Sequence, residues 1–215
     1  MMLRIPVTFL LVICSFSVSA ERIKGLIITK AQDTLDVTFE IPLLSRSKQP
    51  NYERLQRGVT YYDANGKKQT LNPAEAVEIH FTHDNEVIRM RTRFNPLVFL
   101  GGSINLQAGS SVLLRLLEDG PTQLFLYYYS QNTTGIGTSL IVEIIMACWM
   151  KPTAVHILQK GDSGELKSIQ PANFKKDMTA FFSDCPELVR KIEEKEYKRE
   201  DLRAMVQFYN TQCGK

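Results

Sequence analysis

The chain has 215 residues, 26 basic against 23 acidic side chains and a formal net charge of +3. That length suits one larger domain or two small ones with a real core. The near-neutral balance argues against nucleic acid as the main partner, because phosphate binding demands a concentrated basic surface.

Residues 1–20 have the layout of a secretory signal peptide. Arg4 supplies the positive charge, Val7 to Phe16 form an apolar run, and Val18-Ser19-Ala20 places small residues where a signal peptidase reads. The apolar run is about half the ~20 residues that span a bilayer. Cleavage after Ala20 is therefore expected. It leaves 195 of the 215 residues, with Arg4 lost from the basic count, and an exported chain that is periplasmic or extracellular. No membrane-spanning segment is expected in the mature chain, since Leu140 to Met150 is short and contains Glu143.

The mature chain opens with strands. Ile23 to Thr29 and Leu35 to Ile41 are β-prone runs joined by the polar turn Lys30-Ala31-Gln32-Asp33. In the second run Leu35, Val37, Phe39 and Ile41 alternate with polar residues, the period of a half-buried strand, and Pro42 ends it. Ser45 to Tyr52 reads as a loop. Val59 to Tyr62 and Lys67 to Leu71 flank Asp63-Ala64-Asn65-Gly66, an Asn-Gly hairpin signal. Asn72 to Glu75 reads as one helical turn. Val77 to Phe81 and Val87 to Arg93 then form a second hairpin about His83-Asp84-Asn85, so residues 22–93 read as a six-strand sheet or half-barrel.

Further strands are expected at Leu124 to Tyr129, Ser139 to Met150, Ala154 to Gln159 and Leu166 to Ile169, separated by turn chemistry. Val112 to Leu117 reads equally as strand or short helix. The period then changes. Phe174, Met178 and Phe181 lie on one helical stripe; Leu188, Val189 and Ile192 lie on a second, and Leu202, Met205, Val206 and Tyr209 on a third. Asp184 stands as the N-cap of the middle helix, with Glu187 as its capping-box partner and Pro186 in the first turn. Cys148, Cys185 and Cys213 remain after cleavage. Counting alone does not fix the pair, but Cys213 extends the last apolar stripe and Cys185 begins the preceding helix. Antiparallel packing of the two favours Cys185–Cys213 and leaves Cys148 reduced in a strand.

The fold class expected is α+β, with antiparallel β-rich N-terminal and middle modules and a short C-terminal helical segment. Its divisions are a signal peptide over 1–20, β modules over 21–93 and 94–171, and helices over 172–215.

Gly25 to Thr29, Asp33-Thr34-Leu35, Leu124 to Tyr129 and above all Ser183-Asp184-Cys185-Pro186-Glu187-Leu188 with Phe208-Tyr209-Asn210 and Cys213 carry a resemblance. The chain resembles a group of exported proteins of unassigned function from Gram-negative bacteria. The resemblance implies an envelope location and a β-then-helical layout, and brings no activity or site with it.

Several strings invite chemistry. Gly161-Asp162-Ser163-Gly164 copies the surroundings of a serine-protease nucleophile, yet Glu165-Leu166 follows and neither His80 nor His83 has a catalytic context; it reads as a turn. His80 and His83, three apart on a strand, point to opposite faces and are poorly placed to share a metal. Gly135-Ile136-Gly137 lacks the strand–turn–helix setting of a nucleotide loop. Glu143 is a lone carboxylate without a visible partner, and Glu193 to Glu200 is a solvated charge run. Catalytic residues, metals and cofactors are not expected. Tyr127, Tyr129 and Trp149 are the candidate ligand platform, with packing as the competing account. The function expected is that of a non-enzymatic module binding a protein, peptide or glycan of the envelope, with an unrecognised hydrolase or a purely structural protein as alternatives.

Overall fold

The computed structural model describes residues 19–44, 47–95, 109–129, 153–169 and 171–214. Within them ten strands form one antiparallel sheet, β1 (Ala20–Thr29), β2 (Thr34–Pro42), β3 (Val59–Tyr62), β4 (Lys68–Leu71), β5 (Ala76–His83), β6 (Glu86–Asn95), β7 (Ser110–Glu118), β8 (Thr122–Tyr129), β9 (Thr153–Lys160) and β10 (Lys167–Ser168). The order across it is β10-β9-β8-β7-β6-β5-β1-β2-β3-β4. Every neighbour follows its predecessor in the chain except at β1, which lies between β2 and β5. The overall composition is thus β-rich with C-terminal helices.

Local chemistry accounts for most of these strands. In β2, Val37, Phe39 and Ile41 are buried while the alternate positions face outward. Burying each such side chain stabilises by about 1.5–3 kcal/mol. Asp84 and Asn85 both take positive φ, the geometry of a tight hairpin turn. At the other hairpin only Gly66 does so, and the Asp63 carboxylate accepts from the Asn65 and Lys67 amides to close the loop. Asn72 caps the 3-10 turn Pro73–Glu75 in a complete capping box. Gly25 is fixed by close approach, since a Cβ there would lie 2.2 Å from the His80 carbonyl oxygen.

Val112 to Leu117 is a strand, within β7. The expected loop up to Tyr52 gives way to a one-turn helix, α1 (Tyr52–Leu55), capped by Asn51. Its Leu55 is fully buried, and the buried Gln56 that follows exchanges two hydrogen bonds with the Tyr128 backbone of β8. β6 and β7 are paired in register from Arg89↔Leu116 to Asn95↔Ser110. The expected strand Ser139 to Met150, with Glu143, Cys148 and Trp149, lies outside the described residues.

Among the described residues three apolar clusters result. One covers β1 to β7 and α1 around Phe39, Ile79 and Met90. A second joins Leu124 and Leu158 of the sheet to three helices, α2 (Phe174–Phe181), α3 (Pro186–Glu193) and α4 (Leu202–Gln212). The third lies on the other face, because Phe125 and Ile157 alternate with Leu124 and Leu158, and it includes Leu114 and Tyr127. Cys185 and Cys213 are disulfide-bonded, tying the start of α3 to the end of α4. The expected N-cap is displaced by one residue. Cys185 caps α3 without a side-chain hydrogen bond, because the Asp184 carboxylate accepts instead from Lys160 Nζ at 2.7 Å and the Tyr209 hydroxyl at 2.6 Å. Among the described residues no helix is long and apolar enough to cross a membrane.

Candidate functional site

Opposite the first apolar cluster, the sheet carries a polar face. β6 reads Arg89-Met90-Arg91-Thr92-Arg93, so its three arginines share one side while Ile88 and Met90 enter the core. Across the strand boundary Glu78 faces Arg91 and His80 faces Arg89. Glu78 is a buried carboxylate with three donors. Oε1 accepts from Arg89 Nε at 2.5 Å and lies 2.6 Å from His80 Nε2, and Oε2 accepts from Arg91 Nε at 2.7 Å.

Asp119, in the β7–β8 turn, completes a closed arrangement. It accepts from Arg91 Nη1 and Nη2 at 2.8 and 2.7 Å and from Arg89 Nη2 at 2.9 Å. These hydrogen bonds, Arg91 first, hold the Asp119 carboxyl down to about 2. Burial pushes the Glu78 carboxyl up, but the two guanidiniums outweigh it and leave it below the usual carboxylate range. Both carboxylates are therefore ionised at neutral pH, and His80 Nε2 is the donor toward Glu78. The guanidiniums of Arg89 and Arg91 are held in fixed positions by charge-assisted bonds.

Arg93 ends the row. It donates to Gln159 and Gln123 side-chain oxygens at 2.6 Å, to the Thr92 carbonyl, and to Asp162 at 2.7 Å, and lies 5.3 Å above the Phe125 ring. Burial lowers its pKa despite the Asp162 charge. Asp162 belongs to the Gly161-Asp162-Ser163-Gly164 string, which is a turn between β9 and β10 as its composition predicts.

Beside the ladder the same face opens into a cleft of about 580 Å³ over β1, β2 and β3. Leu26 in its floor pairs with Asp36 on one side and with His80 on the other, so the cleft adjoins the His80–Arg89 end of the ladder. Its other polar walls are Lys24, Thr38, Asp63 and Tyr62. The Tyr62 ring has Arg22 4.4 Å from its centroid, and its hydroxyl donates to Glu40 at 2.9 Å. The arrangement can hold a polar ligand by hydrogen bonding, with one aromatic ring and an anchored guanidinium at its edge.

The residues singled out from sequence fall elsewhere. Tyr127 is 4% exposed in the third apolar cluster, and Tyr129 is half-buried with its ring stacked 6.5 Å from it. Tyr128, on the other side of the strand, stacks on Tyr52 at 4.8 Å. His83 sits opposite His80 in strand alternation, 3.5 Å from Glu21 and 3.4 Å from Asp84. Trp149 lies outside the described residues. The missed signal was the alternation of arginine with apolar residues in β6, which marks one charged and one buried face. Glu78, Asp119 and Tyr62 carry no sequence signal of their own, since strand pairing brings Glu78 and Tyr62 to the site and the β7–β8 turn brings Asp119.

Compared with known proteins, the chain matches no protein-family model, no curated protein and no solved structure.

Proposed function

We propose that the protein is an exported, non-enzymatic binding module of the cell envelope that takes a peptide or glycan in the cleft over β1, β2 and β3. The observation that carries this reading is the cleft's setting: Tyr62, Asp36, Thr38 and Asp63 line it, and register places His80 and Arg89 at its border. Hydroxyls and carboxylates with one ring suit a hydroxyl-rich or amide-rich ligand. Because Glu78 and Asp119 already hold Arg89, binding orders little that was mobile before. Export is supported by the leader-like residues 1–20 and by the Cys185–Cys213 bridge, a bond that persists in oxidising compartments. The resemblance of the tail to exported Gram-negative proteins points the same way.

The test is an oligosaccharide array and an extended-peptide panel applied to the secreted protein, with Tyr62→Ala as the comparison. Binding to one panel, weakened at least about tenfold by loss of the ring, supports the reading and identifies the ligand class. N-terminal sequencing of the same material is expected to begin at Glu21.

One observation favours a structural role. Arg93 spends Nε, Nη1 and Nη2 on internal partners, as a buried brace does. Absence of binding to either panel, with Tyr62→Ala equal to the parent, would decide for that reading.

A further inference from the structure

The C-terminal helix reaches the ladder through one side chain. Asn210 of α4 lays its carboxamide against the β7–β8 turn. Oδ1 accepts from the Thr122 amide at 2.8 Å, while Nδ2 donates to the Thr122 carbonyl at 2.8 Å and to the Asp119 carbonyl at 3.2 Å. It thereby takes the place that a further peptide group would occupy in a ladder. The turn is shaped around it: Gly120 has φ +137°, and a Cβ there would lie 2.8 Å from Nδ2. The other α4 contacts to this segment come from Arg203 and Gln207, which hold Glu118 one residue before. The disulfide fixes the end of α4 three residues beyond Asn210.

We propose that Asn210 is a positioning residue for the candidate site, holding the β7–β8 turn so that the Asp119 carboxylate meets Arg89 and Arg91. The tail then acts as part of the binding face although it touches none of the cleft. The chain of contacts is short and directional: the disulfide anchors α4, Asn210 fixes the Asp119 backbone, and Asp119 Oδ1 and Oδ2 orient both guanidiniums. Loss of the carboxamide frees the turn to rotate the carboxylate away, leaving Arg89 tied to Glu78 alone. The inference rests on the functional reading above only for its consequence at the cleft. The geometry is tested separately.

The experiment follows the Asp119 carboxyl titration by NMR in the full mature chain. In the parent protein the midpoint is expected at about 2, held there by Arg91 and Arg89. In Asn210→Ala it is expected to rise toward the ordinary 3.8, with faster hydrogen exchange at the Thr122 amide. In Arg203→Ala, which removes an α4 contact not aimed at Asp119, the midpoint is expected to stay where it is. Asn210→Ser, which keeps one hydrogen-bonding oxygen, is the milder variant should the alanine protein fail to fold, and it is expected to lie between parent and alanine. An unchanged midpoint in either Asn210 variant, or an equal rise in Arg203→Ala, overturns the proposal by making the tail a general clamp. Because no ligand enters this measurement, its failure leaves the binding reading intact, and failure of the binding panels leaves this result intact.

Discussion

The hydroxyl of Tyr209 donates to the Asp184 carboxylate at 2.6 Å, joining the last helix to the residue that precedes the disulfide-bonded Cys185. Lys160 of β9 completes the contact, with Nζ 2.7 Å from Asp184 and 5.0 Å from the Tyr209 ring centroid. Burial and this hydrogen bond push the Tyr209 hydroxyl up to about 12. A covalent, an ionic and an aromatic tie therefore meet at one corner, where helix α4 docks on the sheet.

Tyr209→Phe keeps the ring and removes the donor. A loss of about 1–2 kcal/mol is expected, because a hydrogen bond to a charged acceptor is worth about 1.5–3 kcal/mol and the Asp184 carboxylate is exposed to screening water. Urea denaturation read by circular dichroism measures it. An unchanged midpoint would show that Lys160 alone satisfies Asp184.

Glu78→Gln leaves two guanidiniums facing a neutral amide in a buried position. The expected cost is about 3 kcal/mol, since breaking a buried ionic cluster strands its remaining charges. Replacing Glu40, an outer carboxylate paired to Lys68 near the sheet edge, by glutamine is expected to change stability far less, since water screens an exposed pair. Chemical denaturation of the two variants side by side makes the comparison, and equal effects would refute the special place given to Glu78.

The ladder also sets an acid limit. Arg91 and Arg89 hold the Asp119 carboxyl down to about 2 in the folded chain, below its ordinary 3.8. A carboxyl lowered on folding contributes stability that is fully present above the unfolded value and lost as pH falls through the folded one. Stability is therefore expected to decline between about pH 4 and pH 2. The Asp119 share is about 1 kcal/mol after allowance for its partial exposure to screening water. Thermal melts of parent and Asp119→Asn across this window are expected to converge at the acid end.

The disulfide closes a separation of 28 residues. On the loop-entropy account it stabilises by about 3–4 kcal/mol, so Cys185→Ala/Cys213→Ala should unfold at correspondingly lower urea. Protein from a native expression host is expected to weigh two hydrogens less than its reduced form under non-reducing mass spectrometry. Full-length thiols in that spectrum would contradict the bridge.

Most strands were legible because their causes are local. The alternation in Leu35 to Ile41, the Asp84-Asn85 turn and the apolar stripe of α4 all act within a few residues of chain, where periodicity and turn chemistry speak directly. The stripe of α4 also foretold the bridge, since it set Cys213 on the face that meets Cys185. The N-cap misreading came from competition by distant partners. Asp184 looked like an N-cap until Lys160 and Tyr209 claimed its carboxylate. Tyr127 was read as a packing residue or a ligand platform, and neighbouring strands bring Leu114 and Ile157 into its cluster.

What the sequence determined by itself was therefore most of the described strands and the C-terminal helices, with the two-faced character of each, because backbone preference and side-chain alternation are properties of neighbouring residues. Which strands became neighbours was decided only in three dimensions. Register brings Glu78 to the arginines of β6 and sets Leu26 between Asp36 and His80, while the β7–β8 turn delivers Asp119 to the same arginines, since a charge in a folded chain selects its partner by distance through space and not along the chain.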